Sequence, residues 1–404
     1  MSVATPRIEA SQSDQTVIHR ITTYIVVFVF ALSSGLGVLA ICVMLLTGRY
    51  SPIHDFTSYW AAGNLLIHGA DPYNWQAVSV LERAAVSRGP GVTVIMRNPP
   101  SALFLVVPLG WTSLQTGSIL WSLLLLGCLG ASLHMIWEMN GSPSSSLHLL
   151  GYLFAPSLTC LAMGQTGIFA LLGLALFLYF HDTKSWLAGM GLCLCAIKPH
   201  LFLPFMVGLF AWIATRKAYC ILVGAALSIG ACCVVPLFWD RSVWSQYVRM
   251  AQTSGIKNEF MSDPATILRF AIDRNAMWLQ FLPAAAACVW ALWYFRRHHE
   301  DWDWRTHGSL LILVSLLAAP YSWFTDQAVL LPAVLYGLYS GRSLISLLAL
   351  TSATLIEMLF FGVNPHSALC CWPVAAWLIW YLWPARLPCG DSVPSASRLR
   401  WFPR

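Results

Sequence analysis

The chain has 404 residues, 58% of them hydrophobic and 10% charged. A soluble globular domain carries roughly 25% charged residues, so this composition excludes an ordinary soluble fold and indicates a polytopic membrane protein. The net charge of +6 is modest and spread along the chain, which excludes the concentrated basic footprint of a nucleic-acid-binding protein.

The first 19 residues form a polar arm, expected to be disordered and cytoplasmic. The apolar run over 20–47 is too long for a signal-peptide core, so it is expected to be retained as a helix. The next stretch, 51–75, is the first polar material after it. Ser51-Pro52 reads as an N-cap followed by proline at the first helical position, and Gly69 as a stop. An amphipathic helix is therefore expected over about 52–68. Ile53, Phe56, Trp60 and Ile67 share one side, and Asp55 and Tyr59, four apart, act together on another. A carboxylate in the first turn of a helix is stabilised as an anion by the helix dipole. Asp55 thus reads either as a cap that solvates a surface helix or as a base held at membrane depth.

Further apolar runs fall near 113–137, 147–162, 165–180, 185–197, 199–214, 218–238, 277–295, 307–322, 325–340, 343–361 and 366–384. Together they predict an all-α bundle of about ten to twelve transmembrane helices spanning 20–384, with amphipathic helices on the outer face and a cytoplasmic tail over 385–404. Several runs are shorter than the roughly 20 residues of a full crossing. The corners at Gly164-Gln165, Lys198-Pro199 and Ser322-Trp323 read as tight hairpins or re-entrant pairs, and 101–110 as a half-inserted segment. Lys184, Arg216-Lys217, Arg296-Arg297 and Arg342 sit in short loops, which assigns their side to the cytoplasm. The two long loops, 48–100 and 239–276, and the three polar corners then share the outer face. A transporter is expected to carry ionisable residues at the midplane and an internal repeat, and the sequence has neither.

The 12 cysteines lie mostly inside apolar runs, as at Cys193, Cys195, Cys232 and Cys233, and read as small buried residues. Asp240, Asp263 and Asp273 are scattered, with no Asp-x-Asp pair, so no metal and no cofactor are expected. Without a Gly-rich phosphate loop, a nucleotide-sugar donor in a soluble domain is not expected either.

The order Asp55-Phe-x-x-Tyr59, Asp71-Pro72-Tyr73, Asn98-Pro99-Pro100 with Pro108-Leu109, Gly164-Gln165, Lys198-Pro199 and Pro320-x-Ser322-Trp323 resembles glycosyltransferase family 87, polyprenol-phosphate-mannose-dependent mannosyltransferases of the GT-C membrane fold. The resemblance runs from about residue 20 to 380. It departs from well-known mannosyltransferase members in carrying Thr325 and Asp326 where those have a histidine pair. The resemblance implies a multi-pass plasma-membrane hexosyltransferase that works at the outer face. Its partners would be membrane lipids, a polyprenyl-phosphate sugar donor and a lipid or glycan acceptor. A lipid flippase and a non-catalytic envelope assembly partner are the alternatives.

Within that reading Asp55 is the candidate base. Lys198, between two apolar runs, either contacts the donor phosphate or snorkels to the headgroups. His200 shares that contact or anchors the interface. Arg97 is a second phosphate candidate and Arg269 a weaker one. Gln165 either binds sugar hydroxyls or satisfies backbone groups at its turn. Trp323 stacks on a sugar or anchors the interface, and Asp326 is a helix-capping carboxylate or a second acid. Tyr59 and Tyr73 are expected to be interface aromatics that shape the site.

Overall fold

The computed structural model describes residues 7–47, 54–85, 94–253, 258–361 and 368–383. Among these, all regular structure is helical. The anticipated cap at Ser51 and the tail 385–404 lie outside the described residues.

The arm expected to be disordered is helical from Arg7. Helix α1 runs unbroken over Arg7–Thr47. The reason is local, since no glycine or proline interrupts residues 7–34 and the polar turns simply extend the apolar ones. Ile21, Tyr24, Ile25, Phe28 and Leu32 are exposed along α1, as an apolar face turned to lipid requires. Helix α2 spans His54–Ile67 and α3 Trp75–Ala85. Two short 3-10 helices, Pro100–Leu105 and Val107–Trp111, follow in the segment expected to be half-inserted. Helix α4, Leu114–Met139, starts where Ser113 Oγ accepts the Thr116 N–H. It buries Trp121, Leu125 and Leu129 and exposes Leu120, Leu123 and Leu124.

The apolar run 147–162 is a broken unit: a 3-10 helix over Ser146–Leu153 meets α5, Ala155–Met163, at 50°. Pro156 fits the first turn of α5 but could not continue a helix from the preceding segment. Gly164 then takes φ +69°, a left-handed cap that L side chains rarely adopt, and turns the chain into α6, Gly167–Phe180. Helices α7, Ser185–Cys195, α8, Leu203–Arg216, and α9, Tyr219–Val234, run alternately down and back. The α6 side chains are apolar all round and mostly buried, which makes it the centre of the bundle. Helices α10, Val243–Thr253, and α11, Pro264–Ile272, lie in the second long loop and precede α12, Leu282–His298. The chain ends in α13, Ser309–Leu317, α14, Leu331–Tyr339, α15, Leu344–Phe361, and α16, Trp372–Leu382.

Among the described residues four stretches are long and apolar enough to cross a membrane: Arg20–Leu39, Leu114–Met139, Tyr219–Phe238 and Met277–His298. The bent pair around α5 makes a fifth. Other apolar runs become shorter helices, including α6, α7 and α16. At 1.5 Å per residue the 14 residues of α6 reach about 21 Å, short of a hydrocarbon core of about 30 Å. Polar corners therefore lie inside the bundle, at the ends of half-length helices.

Candidate active site

Helix α2 sits inside the protein. The expectation of an amphipathic helix on the membrane surface is corrected here, because residues 56–63 are all buried. Phe56 packs on Trp121 of α4, with ring centroids 6.0 Å apart, and not in the lipid interface. Helix α2 also carries Thr57, Ser58, Ala61, Ala62 and Gly63, small enough for other chain segments to approach. A Cβ on Gly63 would lie 2.1 Å from the Val106 carbonyl oxygen, and one on Gly110 would lie 2.5 Å from that of Gly63. Trp60 Nε1 donates to the Thr112 carbonyl at 2.9 Å, and Asn64 Nδ2 to that of Gly110 at 3.1 Å. These contacts fix α2, and so the depth of Asp55 in its first turn.

Asp55 faces the α5–α6 corner, where its Oδ2 accepts from Gln165 Nε2 at 2.5 Å. Gln165 Oε1 accepts from Tyr59 Oη and from Lys198 Nζ, both at 3.3 Å. Lys198, just after α7, is 8% exposed and pairs with Asp326 Oδ1 at 2.6 Å. Asp326, fully buried in the 3-10 helix Phe324–Leu330, accepts the Trp323 N–H at 2.9 Å with its other oxygen. One polar chain thus links Asp55, Tyr59, Gln165, Lys198 and Asp326 from four separate elements. Lys198 does not snorkel: its ammonium is held inside by a carboxylate and a carboxamide. Burial, with the Asp55 charge adding to it, pushes the Tyr59 phenol well above its usual range, so Tyr59 acts as a neutral donor.

His200 stacks on Tyr321 with centroids 3.8 Å apart. Burial pushes its imidazole down to about 3, and its Nε2 is buried without a hydrogen-bond partner among the described residues. It is therefore a neutral ring beside Lys198, not a second cation. Tyr73 lies away from the network and donates from Oη to the Asn98 carbonyl at 3.0 Å. Asn98 in turn donates from Nδ2 to the Ile197 carbonyl at 3.2 Å, which braces the residue before Lys198. Trp323 meets the network through its backbone, with its indole half-buried.

Arg97 is committed elsewhere: both of its terminal nitrogens reach the Glu259 carboxylate at 2.5 Å. Arg269 is fully buried and donates to the Glu259 carbonyl at 3.2 Å, within the same loop. Sequence reasoning passed over four residues that shape the site. Trp121 Nε1 donates to the Gly164 carbonyl at 2.7 Å and holds the corner that presents Gln165. Asp263, which reads as a scattered loop acid, is 1% exposed and takes the Ser322 N–H. Glu259 holds Arg97. Glu82, on α3, is close enough to Asp55 to feel its charge.

The model of glycosyltransferase family 87 matches residues 97–320, more than half of the chain. The chain belongs to glycosyltransferase family 87. This family 87 member is accordingly a multi-pass membrane glycosyltransferase. No curated protein and no solved structure matches it. Gln165, Lys198 and His200 lie within the matched residues, whereas Asp55 and Asp326 lie on either side of them. The fold closes the network across both boundaries of the match.

Proposed function

We propose that this family 87 enzyme transfers a hexose, mannose in the first instance, from a polyprenyl-phosphate carrier to a lipid or glycan hydroxyl. The reaction takes place at the outer face of the plasma membrane, with inversion. The observation that carries this reading is that one carboxamide, that of Gln165, touches both the Asp55 carboxylate and the Lys198 ammonium. A base and a cation one amide apart are what displacement at a phosphate-bearing anomeric carbon needs.

In this mechanism Asp55 takes the acceptor hydroxyl proton as the oxygen attacks the anomeric carbon from the face opposite the phosphate. The bond from that carbon to the phosphate oxygen breaks, and its electron pair leaves on the polyprenyl phosphate. Lys198 meets that charge. An ammonium has three N–H donors, and Asp326 and Gln165 engage two of them. The third is left for a phosphate oxygen, and Asp326 fixes its direction. The unpartnered His200 Nε2 lies in reach of the same headgroup. No step uses a metal ion.

The test is Asp55→Asn, which can still accept from Gln165 but cannot take a proton. Mass spectrometry of lipid-linked glycans from cells with and without the enzyme first identifies the product. Single-turnover transfer in nanodiscs should then fall to no more than about a hundredth of the parent rate, with donor binding retained. Near-normal transfer by this variant would remove Asp55 from the mechanism.

A further inference from the structure

Remote from the Asp55 network, the segment between α12 and α13 reads His298-His-Glu-Asp301-Trp302-Asp-Trp304-Arg-Thr-His307. The ligand atoms of His298, Asp301 and His307 all lie within 4.8 Å of one another. They come from three different places: the last residue of α12, the connecting loop, and a π-helical turn over Trp304–Gly308 that opens α13. Single π turns in otherwise regular helices occur frequently at functional sites.

The pair of imidazoles is held from several sides. His307 is 9% exposed, and its ring stacks on Trp302 with centroids 4.8 Å apart and 19° between planes. His298 lies 5.1 Å from His307 and 4.7 Å from Tyr294, centroid to centroid. Tyr294 Oη is 2.8 Å from His307 Nδ1, and the Asp301 backbone carbonyl also lies against that ring. The Asp303 carboxylate caps the π turn through Thr306, so it is already occupied. By contrast, the His298 ring and the Asp301 carboxylate have no hydrogen-bond partner among the described residues.

We propose that His298, Asp301 and His307 bind a zinc-class divalent metal ion, which pins the end of α12 to the start of α13. The donor set decides the class: two imidazoles with one carboxylate suit zinc and its transition-metal neighbours, whereas magnesium and calcium favour oxygen ligands. A phenol against Nδ1 is the outer-shell partner that a ligating histidine usually has, and it leaves Nε2 for the ion. The Nδ1 proton then donates to the phenol oxygen, and the ion takes the place of any Nε2 proton, which leaves to solvent. Two ligand atoms on a tetrahedral zinc lie about 3.4 Å apart, so the group must close by about an ångström. Asp301, exposed and unpaired by any cation, is free to make that movement. The expectation of no metal weighed scattered carboxylates and overlooked this pair of imidazoles.

The experiment uses the full chain in nanodiscs, stripped with a chelator and titrated with Zn2+ while bound metal and melting temperature are followed. Co2+ serves as a coloured probe of the same site. The expected result is one ion per chain lost in His298→Ala, with a melting temperature that rises on binding in the parent alone. Asp301→Asn should weaken binding at least tenfold, and Tyr294→Phe by about 10–100-fold as an outer-shell change. His307 is packed among tryptophans, so its substitution is left out in favour of the two more accessible ligands. Parent protein that takes up no ion, or uptake that survives His298→Ala, overturns the proposal. Zn2+ held by cysteines would show that second pattern.

Discussion

Lys198 and Asp326 form a pair that neither residue would survive without. Removing one partner of a buried ion pair typically costs about 3–5 kcal/mol, because the other charge is left uncompensated. Lys198→Ala should therefore lower the melting temperature sharply, and Lys198→Ala with Asp326→Ala should recover most of it. Donor affinity measured in the double variant then isolates the phosphate contact from folding: a weakened donor dependence in that background supports it, and an unchanged one makes the pair purely structural. Glu82 gives a second test at this scale. Burial pushes its carboxyl up to about 7, the Val94 N–H opposes this and the Asp55 charge adds to it. A folded value above the unfolded one means stability that is present at low pH and lost as pH rises through about 7. Glu82→Gln should melt above the parent at pH ~8 and alongside it at pH ~4, in thermal scans at both values. A difference that is the same at both would exclude a titrating Glu82. Single polar residues stranded between apolar runs made Asp55, Gln165, Lys198 and Asp326 legible in the sequence. Their pairing was not legible, because Gln165 lies 110 residues from Asp55 and Asp326 lies 128 from Lys198. The Arg97–Glu259 pair was hidden for the same reason, since the two residues lie 162 apart.

At the scale of elements, the helices were legible from their apolar runs and their breaks only in part. Gly164 and Pro199 announced two corners correctly. The half-length of α6 and the burial of α2 were not announced, because a run of apolar residues looks the same whether lipid or protein covers it. What seats α2 is a 3-10 segment about 45 residues on, recognisable only once Gly63 and Gly110 are seen back to back. That seat carries a prediction. In Gly63→Ala the new Cβ meets a backbone oxygen at 2.1 Å, which a side chain rotation cannot relieve. Helix α2 must shift, at a cost of about 1–3 kcal/mol for overpacking. Asp55 shifts with it, and a displacement of about an ångström in a reacting group can cost about 100-fold in rate. Gly127→Ala, with nothing within 4 Å of the added Cβ, is the matched control on α4. Transfer rates and melting temperatures of the two variants should separate clearly. Equal behaviour would mean that the α2 contact is loose.

The whole molecule sorts its polar groups to two ends. Helices α6 and α7 form a hairpin whose open end holds Gln165 and Lys198 and whose turn holds Lys184. Helix α8 leads away from Lys198 to Arg216, and α14 leads away from Asp326 to Arg342. The far end is tied together by polar contacts: Arg305 donates to the Met139 carbonyl at 3.2 Å, Arg342 to that of Tyr381 at 3.0 Å, and Tyr381 Oη to that of Thr306 at 3.1 Å. The basic short-loop residues thus share the end opposite the network. Short-loop lysine and arginine mark the cytoplasmic side, so the network is predicted to open outward. Cysteines introduced at exposed positions test this in a background stripped of native cysteines. Gln76→Cys and Arg241→Cys should react with an impermeant maleimide from outside intact cells. Lys184→Cys and Arg297→Cys should react only after the membrane is opened. The reverse pattern would turn the enzyme over and put its site in the cytoplasm, where nucleotide-linked donors would have to be considered. Labelling of all four from one side would instead break the hairpin order on which the placement of Lys198 depends.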